Sequence, residues 1–232
     1  DLVEGDSAGF ATSADGALSF GALRPAGEPR VRVFNPQLQR DGWESPHTIV
    51  EVVTEDMPFL VDSLAVVLSD SRLPIQLMIH PVLRIARDRR GKLLSMEEHD
   101  SALGTMESWQ HVAVPRIGDP ARHEALSQNI LRMLEDVRLA VSDWPTMRKR
   151  ALEIARDVNA GVPAIPRREE KEAVEFIEWL ADNHFTFLGY REYKLERTRS
   201  VDRLVPVPRS GLGLLRTGDG RPQPKPTVLT GE

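Results

Sequence analysis

The residues best placed to bind a ligand lie where a strand runs into a helix. A run of β-branched residues, His47–Thr54, predicts the strand. Asp56 follows at the expected N-cap position, and Pro58 falls in the first turn of a helix that runs to about Arg72. The free N–H groups and partial positive charge of a helix N-terminus suit a carboxylate, and Asp56 could hold an amino group.

The predicted ligand-binding residues at this junction are Asp56, Met57, Phe59 and Leu60. A strand from a neighbouring subunit would have to close such a pocket. The competing interpretation is structural: Asp56 caps the helix, and Phe59 packs into the core or into a dimer interface. Both interpretations stay open on the sequence.

Histidines and acidic residues are weaker candidates for a metal site. None of the six histidines has the HExxH type of ligand spacing. His80 and His111 fall on strands that could pair, but hydrogen-bonded strand histidines are favoured over a shared metal ion. The acidic run at 97–100 is better explained as a solvated loop. We therefore predict no metal site.

Catalysis and cofactor binding are not predicted for this chain. A nicotinamide cofactor needs a glycine-rich turn between a strand and a helix. The nearest match, Gly211-Leu212-Gly213, lacks the third glycine and a following helix. A group of cations around one hairpin turn could meet an acidic ligand or another subunit, although a solvated loop is favoured. Its members are Arg84, Arg87, Arg89, Arg90 and Lys92.

Composition narrows the class of protein. The 232 residues carry a net charge of −5 and are 41% hydrophobic and 28% charged, which is typical of a globular protein. We expect no nucleic-acid partner and no membrane span. Cysteine is absent, so disulfides and cysteine nucleophiles are excluded, and a cytoplasmic location is expected. The start without Met and the Pro-rich end predict a segment of a larger protein.

The elements that must position these residues predict an α+β fold. From 47 to 142 the order is strand, helix, strand, strand, helix, with the second strand at 75–87 bent at Pro81. A last strand would complete the ferredoxin-like βαββαβ plan, and Phe185–Tyr193 is the candidate. Asp119-Pro120 opens the second helix. Its apolar stripe is Leu126, Ile130, Leu134, Val137 and Val141.

Other segments carry weaker signals. We expect a loosely packed lead-in at 1–28, an irregular acidic loop at 93–105 and separate helices at 145–159 and 168–182. Ala173, Phe176, Ile177 and Leu180 should face inward on the last helix. Three tryptophans, Trp109, Trp144 and Trp179, are expected in the core.

The junction resembles that of ACT domains, small amino-acid-sensing modules of βαββαβ form. Their junction reads Asp-Arg-Pro-Gly-Leu, and here Asp56, Pro58 and Leu60 match, whereas Met57 and Phe59 depart. Glycine at the position of Phe59 lets ligand and partner backbone come close. Phe59 fills that space, which puts an open amino-acid pocket in doubt.

Longer blocks resemble the N-terminal region of the large bacterial NAD-specific glutamate dehydrogenases. The blocks appear in the order of that family and span about 47–215. They are 50–63, His80-Pro81-Val82, 182–190 and, more loosely, 210–215.

The resemblance implies a non-catalytic regulatory or assembly segment of a dehydrogenase that uses NAD to convert L-glutamate to 2-oxoglutarate and ammonia. NAD would bind elsewhere in the parent. Expected partners are the rest of the parent chain, further copies in a homo-oligomer and an amino-acid effector. The alternative is a pure protein–protein interaction module. The predicted division is a lead-in at 1–28, an ACT-like domain at 29–143, a helical pair with a strand at 144–204, and a Pro/Gly-rich linker at 205–232.

Overall fold

The computed structural model describes residues 7–161, 166–197, 201–218 and 224–229. The chain divides into two compact units, Asp1–Val137 and Arg138–Glu232. The first unit contains the whole of the predicted strand-to-helix junction. The sequence-based domain limits differ from this division, and they stay predictions.

A mixed-length antiparallel sheet forms the first unit. Its strands are β1 (Arg30–Phe34), β2 (His47–Glu55), β3 (Leu77–Ile79), β4 (Val82–Arg87), β5 (Leu93–Glu97) and β6 (Thr105–Pro115). The spatial order is β1-β2-β6-β4-β5, and β3 also pairs with β6. The predicted bend at Pro81 is confirmed, because β3 and β4 are separated at His80-Pro81. The α+β ferredoxin-like prediction is confirmed.

The edge strand beside β2 comes from upstream in the chain, which corrects one prediction. Ferredoxin-like sheets place their last strand next to the first strand of the motif. Here β1 occupies that place and pairs antiparallel with β2 over five residues. The predicted last strand, Phe185–Tyr193, does not join this sheet: its described strand, β7 (Gly189–Tyr190), pairs with β10 (Leu212–Gly213). The alternation of polar and apolar residues over Arg30–Phe34 predicts a strand there, and β1 confirms it.

Two segments predicted as irregular are ordered. Helix α1 (Ser7–Gly21) occupies the expected lead-in, because its alanines, free of proline, favour a helix; residues 1–6 of that lead-in lie outside the described residues. The expected acidic loop begins with β5, which pairs with β4 around a turn closed by Asp88 and Lys92. A short helix, α2 (Leu38–Asp41), follows β1.

Helices cover one face of the sheet. Helix α3 (Leu60–Asp70) buries Leu60, Leu64 and Leu68. The first half of α4 (Pro120–Asn159) buries Leu126, Ile130, Leu134 and Val137, as the stripe predicts, whereas Val141 is half-buried. Val50, Val52, Val112 and Val114 on that face of the sheet are at most 1% exposed. These side chains form the core between sheet and helices.

The N-terminus of α4 is capped as predicted, but the helix is longer than predicted. Asp119 Oδ1 accepts a hydrogen bond from the backbone N–H of Ala121 at 2.9 Å. The helix then continues through Pro145, where a second helix was expected to begin. Because an internal proline costs a helix one hydrogen bond, the sequence favours a break that the structure does not make.

The second unit adds α5 (Arg167–Trp179), a π-helical segment at Leu180–His184, and small sheets. Strands β8 (Tyr193–Arg197), β9 (Asp202–Pro206) and β11 (Thr227–Leu229) pair in the order β11-β9-β8. Part of the expected linker at 205–232 is therefore strand, while 219–223 and 230–232 lie outside the described residues.

The inward face predicted for α5 is wrong for two of its four residues. Ala173 is exposed and Phe176 is 59% exposed, whereas Glu170 is the buried residue of this helix. Trp179 is 50% exposed, so its expected core position is also wrong, while Trp109 is buried at 6%. Phe176 and Trp179 stack on one another with ring centroids 6.2 Å apart.

Candidate functional site

The strand-to-helix junction differs from the predicted cap. Helix α3 begins at Leu60, and Phe59 takes the N-cap position with φ 73° and ψ 1°. No side chain accepts a hydrogen bond there, so the prediction that Asp56 caps the helix is wrong. The backbone N–H of Asp56 instead donates to the carbonyl of Met106 at 2.9 Å, which ties the end of β2 to β6. Three residues, Met57, Pro58 and Phe59, therefore separate Asp56 from the helix.

The four predicted ligand residues have different environments. Asp56 and Phe59 are exposed, Phe59 at 46%, and Met57 is half-buried. Leu60 is only 2% exposed and belongs to the core. The junction thus presents Asp56, Phe59 and uncapped backbone N–H groups outward. Binding of a ligand by these residues stays a prediction.

A cavity of about 790 Å³ lies on the face of the sheet opposite α3. Helix α1 and the segment after α2, including Trp43, form one side of it. The floor is made by side chains that alternate along β2 and β6, with contributions from β3, β4 and β5. The floor includes Glu51, Ile79, Leu83, Met96, Trp109 and His111. Sequence reasoning did not predict this cavity.

A charged group of three side chains lies in this cavity floor. Glu51, 2% exposed, stands opposite Arg32 on β1 and His111 on β6. Its carboxylate accepts hydrogen bonds from Arg32 Nε at 2.9 Å and Nη2, and from His111 Nδ1 at 3.2 Å. Arg32 also lies over the Phe20 ring, 4.8 Å from its centroid. This pairing makes the buried charge of Glu51 tolerable.

A second buried carboxylate, Glu107, anchors the segment after α1. Glu107 is fully buried and accepts hydrogen bonds from Arg24 at 2.9 Å and from Arg87 at 2.7 Å and 2.8 Å. The indole N–H of Trp109 donates to it at 3.2 Å. Burial raises the pKa of Glu107, but hydrogen bonds from Arg87 and Arg24 outweigh it and leave the pKa below its usual value. Glu107 is therefore a structural carboxylate that stays ionised.

The other sequence candidates separate in the structure. His80 bonds to Ser108 Oγ at 2.8 Å, while His111 bonds to Glu51, so the two histidines are not brought together. Within the described part of the chain, no cluster of three or more His, Asp or Glu side chains is arranged to hold a metal ion. Gly211-Leu212-Gly213 leads into strand β10 and not into a helix, and the Gly213 N–H donates to Asp143 Oδ2 at 2.7 Å.

Part of the predicted cation cluster forms contacts within the fold. Arg87 holds Glu107, and Arg84 donates to the carbonyls of His99 and Gly104. Asp88 accepts backbone hydrogen bonds from Lys92 and Arg90, and these hold the pKa of its carboxyl below the usual value. These contacts shape the β4–β5 turn.

Comparison with known proteins decides the family. A model described as "Glutamate dehydrogenase, ACT1 domain" matches residues 1–130. The chain belongs to this family. The matched region contains α1, the whole sheet, α3 and the cavity, so the ACT1 domain corresponds closely to the first structural unit.

Curated relatives carry the name NAD-specific glutamate dehydrogenase. The protein of Halomonas elongata is 39% identical over 197 residues, and that of Pseudomonas aeruginosa is 36% identical over 191 residues. The Mycobacterium tuberculosis protein is 29% identical over 208 residues. The matches cover 83%, 82% and 87% of this chain, but only 12% of each relative. The family predicted from the sequence is thereby confirmed.

Two buried, paired carboxylates were not predicted from the sequence, although the sequence contains a signal for each. Glu51 and Glu107 are charged residues inside otherwise apolar strands, a pattern that points to a buried, paired carboxylate. Their partners Arg24 and Arg32 lie far away in sequence, so pairing could not be assigned.

Among the described helices, none combines the length and apolar character that a membrane crossing needs.

Proposed function

We propose that this ACT1-containing chain is a non-catalytic regulatory and assembly segment of an NAD-dependent glutamate dehydrogenase. The observation that carries the proposal is the match of residues 1–130 to the glutamate dehydrogenase ACT1 family. The parent reaction would be the oxidation of L-glutamate by NAD to 2-oxoglutarate and ammonia, in the cytoplasm. NAD would bind in another part of the parent protein.

An assembly role is supported by two exposed apolar side chains, one at the N-cap of α3 and one within the helix. Phe59 is 46% exposed and Val66 is 59% exposed. Such a pair is costly to leave in water and suits contact with a further copy in a homo-oligomer or with another part of the parent. This surface also supports the alternative, a pure interaction module without a metabolite ligand.

In the regulatory role, an amino-acid effector would bind at the junction formed by Asp56, Met57, Phe59 and Leu60. The uncapped N–H groups at the start of α3 suit the effector carboxylate, and the exposed Asp56 suits its amino group. The Phe59 ring stands where ACT domains carry glycine, so the effector would have to displace it. A second subunit would complete the pocket.

A thermal-shift screen of the twenty amino acids on the purified chain separates the two versions. A ligand present at a hundred times its dissociation constant adds about 2.7 kcal/mol to the free energy of unfolding. The effector version predicts a shift for at least one amino acid, and Asp56→Ala should remove it. The matched control, Asp62→Ala, changes a nearby exposed acid in the first turn of α3. No shift at millimolar concentrations would leave the interaction module as the surviving version.

A further inference from the structure

The cavity on the sheet has the dimensions of a small-molecule site. Its volume of about 790 Å³ lies within the roughly 300–1,000 Å³ typical of ligand pockets. Water occupies about 30 Å³ per molecule in the liquid, so the space corresponds to about 25 waters. The floor crosses β2, β6, β4 and β5 in that spatial order. Three strand spacings make it about 14 Å long.

Apolar side chains line the β3–β5 end of the cavity and remain accessible. Ile79 is 44% exposed and Met96 is 48% exposed, and Leu83 is half-buried between them in the sheet. On the α1 side, Leu18 is 37% exposed and Ala17 is half-buried. A ligand that covers these side chains gains the free energy of removing apolar surface from water. The body of the ligand is therefore apolar and elongated.

The cavity floor also carries a polar group, because His111 on β6 is the cross-strand neighbour of Ile79. A carboxylate can only accept hydrogen bonds, so the contact with Glu51 places a proton on His111 Nδ1. The second ring nitrogen, Nε2, has no hydrogen-bond partner among the described residues. Trp43 lies beside the ring, with centroids 6.2 Å apart. Beside the apolar side chains of the floor, His111 thus offers one ring nitrogen without a partner among the described residues, and Glu51 holds the ring in a fixed orientation.

From this arrangement we infer a second binding site in the ACT1 domain, for small molecules of the acyl-chain class. The apolar chain lies over β4 and β5. A terminal hydroxyl donates a hydrogen bond to His111 Nε2, whereas a terminal carboxylate accepts one from the ring only when Nε2 is also protonated. This site is distinct from the junction at Asp56. It stands on the cavity alone, so it holds or fails independently of the proposed dehydrogenase function.

The binding test uses the fluorescence of the two tryptophans that line the cavity. Trp144→Phe and Trp179→Phe leave Trp43 and Trp109 as the only tryptophans of the chain. Titration with 1-decanol and, separately, decanoic acid should give a saturable change in fluorescence with one molecule bound per chain. The two arms distinguish a hydroxyl head group from a carboxyl head group.

Substitutions locate the bound molecule. Ala17→Phe fills the cavity and should weaken binding at least tenfold, whereas Ser19→Phe, on an exposed position of α1 outside the cavity, should leave it within twofold. Ile79→Asp places a charge at a half-exposed floor position and should also weaken binding of an apolar chain, which provides a second variant in case Ala17→Phe fails to fold. His111→Leu should weaken binding of the preferred head group at least fivefold, with His99→Leu in an exposed turn as its control.

Three results would overturn the inference. A linear, non-saturating titration means simple partitioning onto the surface. Equal affinity in Ala17→Phe, Ile79→Asp and the parent sequence places the ligand elsewhere. Concentration-dependent self-association that Ala17→Phe abolishes, without binding of either probe, means that a second copy of the chain covers the cavity instead.

Discussion

Phe59 has a backbone conformation that is unfavourable for a residue with a β-carbon. Its φ of 73° lies in the left-handed region, where an L-residue with a β-carbon is disfavoured by about 1–2 kcal/mol. ACT-like junctions resemble this one but carry glycine at the position. The chain therefore keeps a strained residue whose side chain is half-exposed, which fits a role for the ring in contacts outside the domain.

Replacing Phe59 tests this strain directly. Both Phe59→Gly and Phe59→Ala remove the ring, but only glycine removes the β-carbon. We expect Phe59→Gly to exceed Phe59→Ala in free energy of unfolding by about 1 kcal/mol. Urea unfolding followed by the fluorescence of Trp43 and Trp109 measures the difference. At Val66, inside α3, the same pair should show the opposite sign, with glycine less stable by about 1 kcal/mol.

Glu107 gives a second prediction at the residue scale. Glu107→Gln leaves the buried Arg24 and Arg87 without their ionised partner, and we expect a loss of about 3–5 kcal/mol in the free energy of unfolding. The matched control is Glu55→Gln. The Glu55 carboxylate lies 3.9 Å from Arg24 Nη1, and the Glu55 side chain is 49% exposed. This substitution should cost less than about 1 kcal/mol.

The lowered pKa of Glu107 also fixes the sign of a pH effect. Its folded pKa lies below the usual value of 4.5. The stabilisation is therefore complete above that value and is lost as the pH falls through the folded pKa. The stability difference between the parent sequence and Glu107→Gln should be constant above about pH 5 and shrink at lower pH. A difference that grows on acidification would contradict the assignment.

At the scale of elements, the position of α1 depends on a close approach between helix and sheet. A β-carbon at Gly21 would stand 2.1 Å from the Trp109 ring, and that ring is buried and hydrogen-bonded to Glu107. Because the ring cannot swing aside freely, only glycine permits this contact. The helix thereby closes one side of the cavity.

Two glycine substitutions in α1 should have opposite effects. Gly21→Ala forces the Trp109 ring to move and should destabilise the chain by about 1–3 kcal/mol. Gly16→Ala meets only Trp43 Nε1 at 3.9 Å, so it should add up to about 1 kcal/mol through helix propensity. Thermal melts of the two variants measure both signs, and a stabilised Gly21→Ala would show that the contact is loose.

Elements with strong local patterns could be predicted, and those set by distant contacts could not. The β-branched run of β2 and the apolar stripe of α4 fixed a strand and a helix correctly. The place of β1 at the sheet edge could not be read locally, because it depends on pairing with β2 rather than on its own residues. Likewise β5 is acidic and short, and it is ordered by pairing with β4.

The candidate sites follow the same division. The junction could be located from Asp56 and Pro58, yet the N-cap position falls on Phe59, because Met57 and Pro58 intervene between Asp56 and the cap. The cavity could not be predicted, because its walls come from α1 and from five strands spread over about 100 residues. A hydrogen-bonded strand histidine was favoured for His111, but its partner, Glu51, could not be named because it lies 60 residues away.

At the scale of the whole molecule, the chain spans about 12% of the length of its curated relatives. The ACT1 domain is a minor part of such a protein. The proposed assembly role predicts that the exposed side chains of Phe59 and Val66 contact another subunit or another part of the parent protein.

The most direct test measures the specific activity of the full-length enzyme against its concentration. Glutamate oxidation is followed through NADH for the parent sequence and for the Phe59→Asp, Val66→Asp double variant. The account predicts that the variant reaches the parent kcat at high enzyme concentration but loses activity on dilution, because charge on α3 weakens assembly. Activity reduced by the same factor at every concentration, or unchanged at every concentration, would contradict a non-catalytic assembly role.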